Sequence, residues 1–193
     1  RKYMRYTILV IIALLFSSCV EKLVYLPFPT TFQVILSINV QSNNNFEVQE
    51  TVSGLEIATE IRNQLQGEFG FDEINETQIE GLAFTILDTD DIHSAIDANF
   101  SLSYAGSPEE NLFDLQNLLL GNNIGERQEV DLNEDGVDLL NQALAEIVEG
   151  DNNSLVIVRG TGVAFPQVTR FTLLLEFTAT PIIEQTIEIF DPF

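Results

Sequence analysis

Phe32, Val34, Leu36, Ile38 and Val40 alternate with Gln33, Ser37, Asn39 and Gln41. A period of two places apolar side chains on one face of an extended strand and polar side chains on the other. The same rule holds from Ile96 to Tyr104, where Phe100 and Leu102 alternate with Ser101 and Ser103. It holds again at Phe171, Leu173, Leu175 and Phe177. Half-buried strands of this kind must cover their apolar faces with a second layer, and that requirement constrains the chain more than any other feature.

Four further segments read as strands: Phe46 to Val52, Ile79 to Leu87, Leu155 to Val158, and Ile183 to Phe190. Ser42 to Asn45 is a polar turn between the first two candidates. Three segments carry helix start signals. Ser53-Gly54-Leu55-Glu56 is a capping box ahead of Ile57, Ala58, Ile61 and Leu65. Ser107-Pro108-Glu109-Glu110 predicts a helix with proline at its first position and Gly121 beyond its end. Glu134 to Glu149 places Val137, Leu140, Leu144 and Ile147 on one face before Gly150. About seven strands with one polar face predict a mainly β fold. The expected form is an antiparallel β-sandwich, Ig-like or related, with about three helices in the connections. The alternative is an α+β curved sheet or half-barrel packed on helices.

Thirty acidic side chains face eight basic ones, a formal charge of −22. Such a field repels polyanions, so nucleic acid is excluded as an expected partner. High net charge also accompanies disorder, but 45% of the residues are hydrophobic and fall in regular patterns. The length suits one domain with a sizeable core.

Arg1, Lys2 and Arg5 precede an apolar run from Thr7 to Phe16. A basic region, a short apolar run and small residues before a cut site are the parts of a secretory signal peptide. Ten helical residues rise about 15 Å, half of what spanning a bilayer requires. The run ends in Phe16-Ser17-Ser18-Cys19, and Cys19 is the only cysteine. These residues resemble the lipobox of bacterial lipoprotein precursors, with Phe16 where Leu is usual. The resemblance implies cleavage before Cys19 and acylation of that cysteine, so residues 1–18 are expected to be a signal peptide. Residues 19–31, with Pro27 and Pro29, read as a lipid-anchored tether, and 32–193 as one acidic β-rich domain. Val20 after the cysteine departs from the Asp of inner-membrane retention, which implies an outer membrane. The membrane partner is reached through N-terminal acyl chains.

Several motifs admit chemistry and carry a plainer reading beside it. Asp131, Asn133 and Asp135, followed by Gly136, match the opening of an EF-hand calcium loop, although Gln142 stands where a bidentate carboxylate belongs. The plainer reading is a polar turn whose Asn133 or Asp135 caps the next helix. Asp88, Asp90, Asp91 and His93 are suited to a metal, but strand alternation splits them between faces, and a solvated turn is the competing account. Arg159-Gly160-Thr161-Gly162 lacks the third glycine of a phosphate cradle, and its glycines read as a bulge or close backbone contact. One histidine, one cysteine and no G-x-S-x-G elbow argue against a serine or cysteine hydrolase.

These readings predict a non-enzymatic, exported, lipid-anchored envelope protein acting in binding, adhesion or assembly, with no cofactor. A carrier of an apolar ligand and a subunit of a surface filament are the alternatives.

Overall fold

The computed structural model describes residues 19–41, 43–65, 74–151, 153–166 and 170–190. Residues 1–18, with the expected signal peptide and the first three lipobox positions, lie outside them. The described strands are β1 (Cys19–Pro27), β2 (Thr30–Asn39), β3 (Asn45–Ser53), β4 (Ile74–Thr89) and β5 (Ala95–Tyr104). They continue as β6 (Glu110–Leu119), β7 (Arg127–Glu129), β8 (Leu155–Phe165) and β9 (Arg170–Phe190). Helix α1 (Gly54–Gln64) follows β3, and α2 (Glu134–Val148) follows β7.

Strand pairing follows one long folded hairpin. β2 pairs with β9, β3 with β8, β4 with β7 and β5 with β6, all antiparallel. Two more ladders, β9 with β4 and β8 with β5, roll this hairpin into two sheets. Their orders are β2-β9-β4-β7 and β3-β8-β5-β6. This is the strand order of a jelly roll, so the expected antiparallel sandwich is of the related kind and not the immunoglobulin arrangement. β1, in the segment expected as a tether, adds to the first sheet by pairing with the far half of β9.

The helix expected from Ser107 is instead the exit of a hairpin turn followed by β6. Ala105 and Gly106 take φ values of 49° and 82°, and the Ser107 N–H donates to the Tyr104 carbonyl at 2.8 Å. Glu109, which a capping box would turn back on Ser107, bonds Ser101 and Arg159 across the sheet. The apolar spacing misleads for a physical reason. Two register shifts against β5 each insert one extra residue into β6, the first at Asn117 (φ 49°) and the second at Leu112. Each bulge breaks the period of two, so Leu112, Phe113, Leu115 and Leu118 acquire helix-like spacing. Among the described residues there are therefore two α-helices and a short 3₁₀ turn at Gly121–Asn123 in place of the three expected helices.

The space between the sheets is filled by aliphatic side chains with phenylalanines among them. Phe32 stacks on Phe177 at 4.8 Å and Phe100 on Phe113 at 4.6 Å, while Phe46 meets Phe171 edge-on at 5.4 Å. Gly160 and Gly162 of β8 make that possible. A Cβ at Gly160 would stand 2.7 Å from the Phe100 ring, and one at Gly162 would strike the Asp97 carbonyl and lie 2.7 Å from the Phe46 ring. These glycines are thus points of close contact, as their sequence context suggested. Gly162→Ala should cost about 1–3 kcal/mol through overpacking, read as a lowered urea midpoint at unchanged m-value. An unchanged midpoint would show that β8 shifts freely.

Candidate functional site

The two helices touch one another and pack on the sandwich differently. α2 packs against β4, β5 and β6. Its Gly136 lies so close to β6 that a Cβ would stand 2.5 Å from the Asn111 carbonyl. Asn141 of α2 accepts the Ile79 N–H at 2.7 Å, beside the bulge between Ile79 and Gly81.

Beside α2, α1 rests on β2 and β3 and leaves a groove of about 530 Å³. Its lining includes Thr31, Gln33 and Ile35 from β2, Glu50 from β3, and Glu56 and Glu60 from α1. The Phe32 ring, buried on Phe177, lies at its floor. Glu50 opposes Val158 in the β3–β8 register and so shares the inward row of Phe46 and Val48, yet it is exposed. A carboxylate on an apolar row stays hydrated only where the sheets part, which places Glu50 at the groove mouth.

α1 starts with the capping box expected from the sequence. Ser53 Oγ accepts the Glu56 N–H at 3.2 Å, and Glu56 Oε2 accepts the Ser53 N–H at 2.8 Å. The Ser53 backbone N–H, then its hydroxyl, hold the Glu56 carboxyl below the usual carboxylate range. At the other end of α1, Gln64 reaches β2. The Thr31 N–H donates to Gln64 Oε1 at 2.7 Å, and Gln64 Nε2 donates to the Thr31 carbonyl and, at 2.7 Å, to Glu60 Oε1. The side-chain amide thus meets the edge of β2 as a neighbouring peptide group would. Gln64→Ala leaves both Thr31 groups without this partner and should cost about 1–2 kcal/mol, measured by thermal unfolding. Full retention of Tm would mean that water replaces the amide without loss.

Behind the groove, on the outer face of the first sheet, Glu176 gathers two donors. Arg127 Nε reaches it at 2.8 Å and Gln33 Nε2 at 3.2 Å, with the fully buried Ala83 of β4 between them. The Arg127 side chain is first among the causes that hold the Glu176 carboxyl below its ordinary value of 4.5. A carboxylate with a lowered folded pKa contributes its full stability above its unfolded pKa and loses it as pH falls through the folded one. Glu176→Gln should therefore lower Tm slightly at pH 7, with the difference from wild type closing below about pH 4. A constant difference down to pH 2 would separate the effect from charge.

The residues singled out for metal chemistry do not converge. Asn133 is the N-cap position of α2, and Asp135 lies in its first turn. The helix begins at Glu134, so the chain after Asn133 cannot wrap an ion, and Gly136 serves the contact with β6 rather than a calcium-loop turn. Asp131 precedes the helix. Asp91 organises the turn between β4 and β5, accepting the His93 N–H at 2.9 Å and the Ser94 hydroxyl at 3.1 Å. Asp90 accepts the Arg170 N–H at 3.2 Å, and Asp88 lies in β4. Among the described residues no group of three or more His, Cys, Asp or Glu side chains is placed to hold a metal ion. Cys19 is the first residue of β1, with Phe190 as its register partner. Among the described residues no helix is long and apolar enough to cross a membrane.

The groove residues were only partly visible beforehand. Glu50 could have been noticed, because it breaks the apolar row of Phe46, Val48 and Val52. Gln64 gave no signal, because its partner Thr31 lies 33 positions away.

No protein-family model and no curated protein matches the chain. A solved structure titled Desmodium yellow mottle tymovirus is similar at 14% identity, covering 89% of this chain and 91% of that one, with a TM-score of 0.32. The jelly-roll assignment rests on strand order and not on that likeness. The chain is a two-sheet antiparallel sandwich whose groove lies between the edges of β2 and β3.

Proposed function

We propose that the protein is a non-enzymatic, exported lipoprotein of a bacterial envelope, tethered through Cys19, whose jelly-roll body acts in binding, adhesion or assembly. The observation that supports this most is the course of β1. Among the described residues β4 pairs with β9 as far as Ile74 opposite Ile183, whereas β1 runs along β9 from Leu26 opposite Ile183 to Cys19 opposite Phe190. Among the described residues the last seven pairs involve β1 and β9 alone, a stretch of about 23 Å that ends at the cysteine. A lipid on Cys19 would hold the body at the end of that stretch.

Charge supports the same reading. Beyond residue 18 the only lysine is Lys22, near the anchor, and Arg62, Arg127, Arg159 and Arg170 are the remaining cations against thirty acids. Such a body is repelled by anionic headgroups and by nucleic acid, so its membrane attachment would come from the acyl chains. Val20 favours an outer membrane, through the resemblance to lipoprotein sorting. The carrier reading is weakened by the aliphatic and phenylalanine side chains that fill the space between the sheets. The filament reading predicts a missing strand or an exposed apolar groove, and the eight jelly-roll strands among the described residues count against the first of these.

Intact-mass analysis of membrane-extracted protein beside a Cys19→Ala variant tests the proposal. Wild type should begin at Cys19 and carry acyl mass, and the variant should leave the membrane fraction. A wild-type chain without acyl mass, or a variant that stays membrane-bound, would sink it.

A further inference from the structure

We propose that the groove between β2 and β3 binds an extended, basic polypeptide segment by strand addition to the open edge of β2. This deepens the binding role proposed above and rests on it, but it concerns a face of the body independent of Cys19.

The geometry of the edge follows from the register. β2 pairs with β9 without a shift from Thr30 opposite Ala179 to Asn39 opposite Arg170. In an antiparallel ladder, alternate residues direct both backbone groups toward the partner or both away from it. Thr31 directs its N–H and carbonyl away from β9, because both bond Gln64. Gln33 and Ile35 have the same phase, so their N–H and carbonyl groups point to the open side, into the groove they line. Among the described residues no strand pairs with β2 there. Gln64 therefore marks where strand-like pairing begins, and Gln33 and Ile35 offer its next two rungs. Ile35 is 53% exposed, an apolar contact for a residue laid across it.

Charge selects the occupant. Glu50, Glu56 and Glu60 line the groove, and among the described residues no basic side chain does. A strand bearing Lys or Arg at alternate positions would set its cations toward these carboxylates while its backbone pairs with β2. A second copy of this chain in the same groove would bring two sets of glutamates together, which opposes edge-to-edge dimerisation through β2.

The test uses the full chain in detergent micelles, with its acyl mass recorded on the same sample, so that failure of the anchor is read apart from failure of the groove. The probe is an eight-residue peptide of alternating lysine and threonine. Controls are its glutamate counterpart and a lysine-threonine version N-methylated at every second amide, which keeps the charge but loses one pairing edge. Calorimetry should show binding of the lysine peptide, at least tenfold weaker binding of the methylated one, and none of the acidic one. Hydrogen exchange should slow at the Gln33 and Ile35 amides when the lysine peptide is present. Ile35→Pro, which removes one outward N–H at a strand edge, should weaken binding at least tenfold, and Glu50→Gln with Glu60→Gln should weaken it severalfold. Equal affinity for the methylated peptide would overturn strand addition and leave only surface charge. No binding of the lysine peptide, or no protection at Gln33 and Ile35, would overturn the proposal whatever the folding of the variants.

Discussion

The first sheet depends on β9. This strand gives one edge to β4 and shares the other between β2 and β1, so three strands are placed by a single partner. Its inward row, Phe171, Leu173, Leu175, Phe177 and Ala179, is buried throughout. A proline inside such a strand would normally leave a ladder position without a donor. Pro181 avoids that cost by its position. β2 pairing stops at Ala179, β1 pairing starts at Ile182, and the Pro181 carbonyl accepts the Phe28 N–H at 2.9 Å in the gap. The missing N–H falls where the chain passes from β1 to β2 and the ladder demands none.

From that constraint the rest of the sandwich follows by packing. Aromatic rings from both sheets meet in the middle, and Gly160 and Gly162 give up side-chain volume on β8 so that Phe100 and Phe46 fit. The outer faces are polar and carry cross-strand networks centred on the few cations. Arg127 bridges to Glu176 over Ala83, and Arg159 reaches Glu109 at 2.7 Å and Gln49 at 3.1 Å. These pairs are partly hydrated and fix geometry more than they stabilise. The two helices, in contact with one another, then differ in how they meet the strands. Gly136 lets α2 press on the backbone of β6, whereas α1 reaches the edge of β2 through Gln64 and leaves the groove beside it.

Legibility in the sequence followed locality. β2, β5 and the first half of β9 were readable because each buries one face with no interruption in its period. α1 was readable because a capping box is contained within four residues, and Ser53 with Glu56 forms it as expected. β6 was misread because bulges at Leu112 and Asn117 reset the alternation, and a bulge is a property of the pair of strands. β9 was divided at Pro181 because nothing local reveals that the lost donor faces a gap. At Gly136 the sequence left a loop turn and a helix start open, and the glycine serves as a helix-to-strand contact.

The sequence by itself determined the fold class, the sidedness of the strands, the acidic field and the start of each α-helix, all of which arise from interactions within a few residues. Only the tertiary structure decided the jelly-roll strand order, the bulged course of β6 and the pairing of β1 beside β9. It alone brought Gln64 to Thr31 and opened the groove where Glu50 sits. Those features depend on which strand edges meet across large sequence separations, and backbone pairing across such distances leaves no periodic trace in the residues that make it.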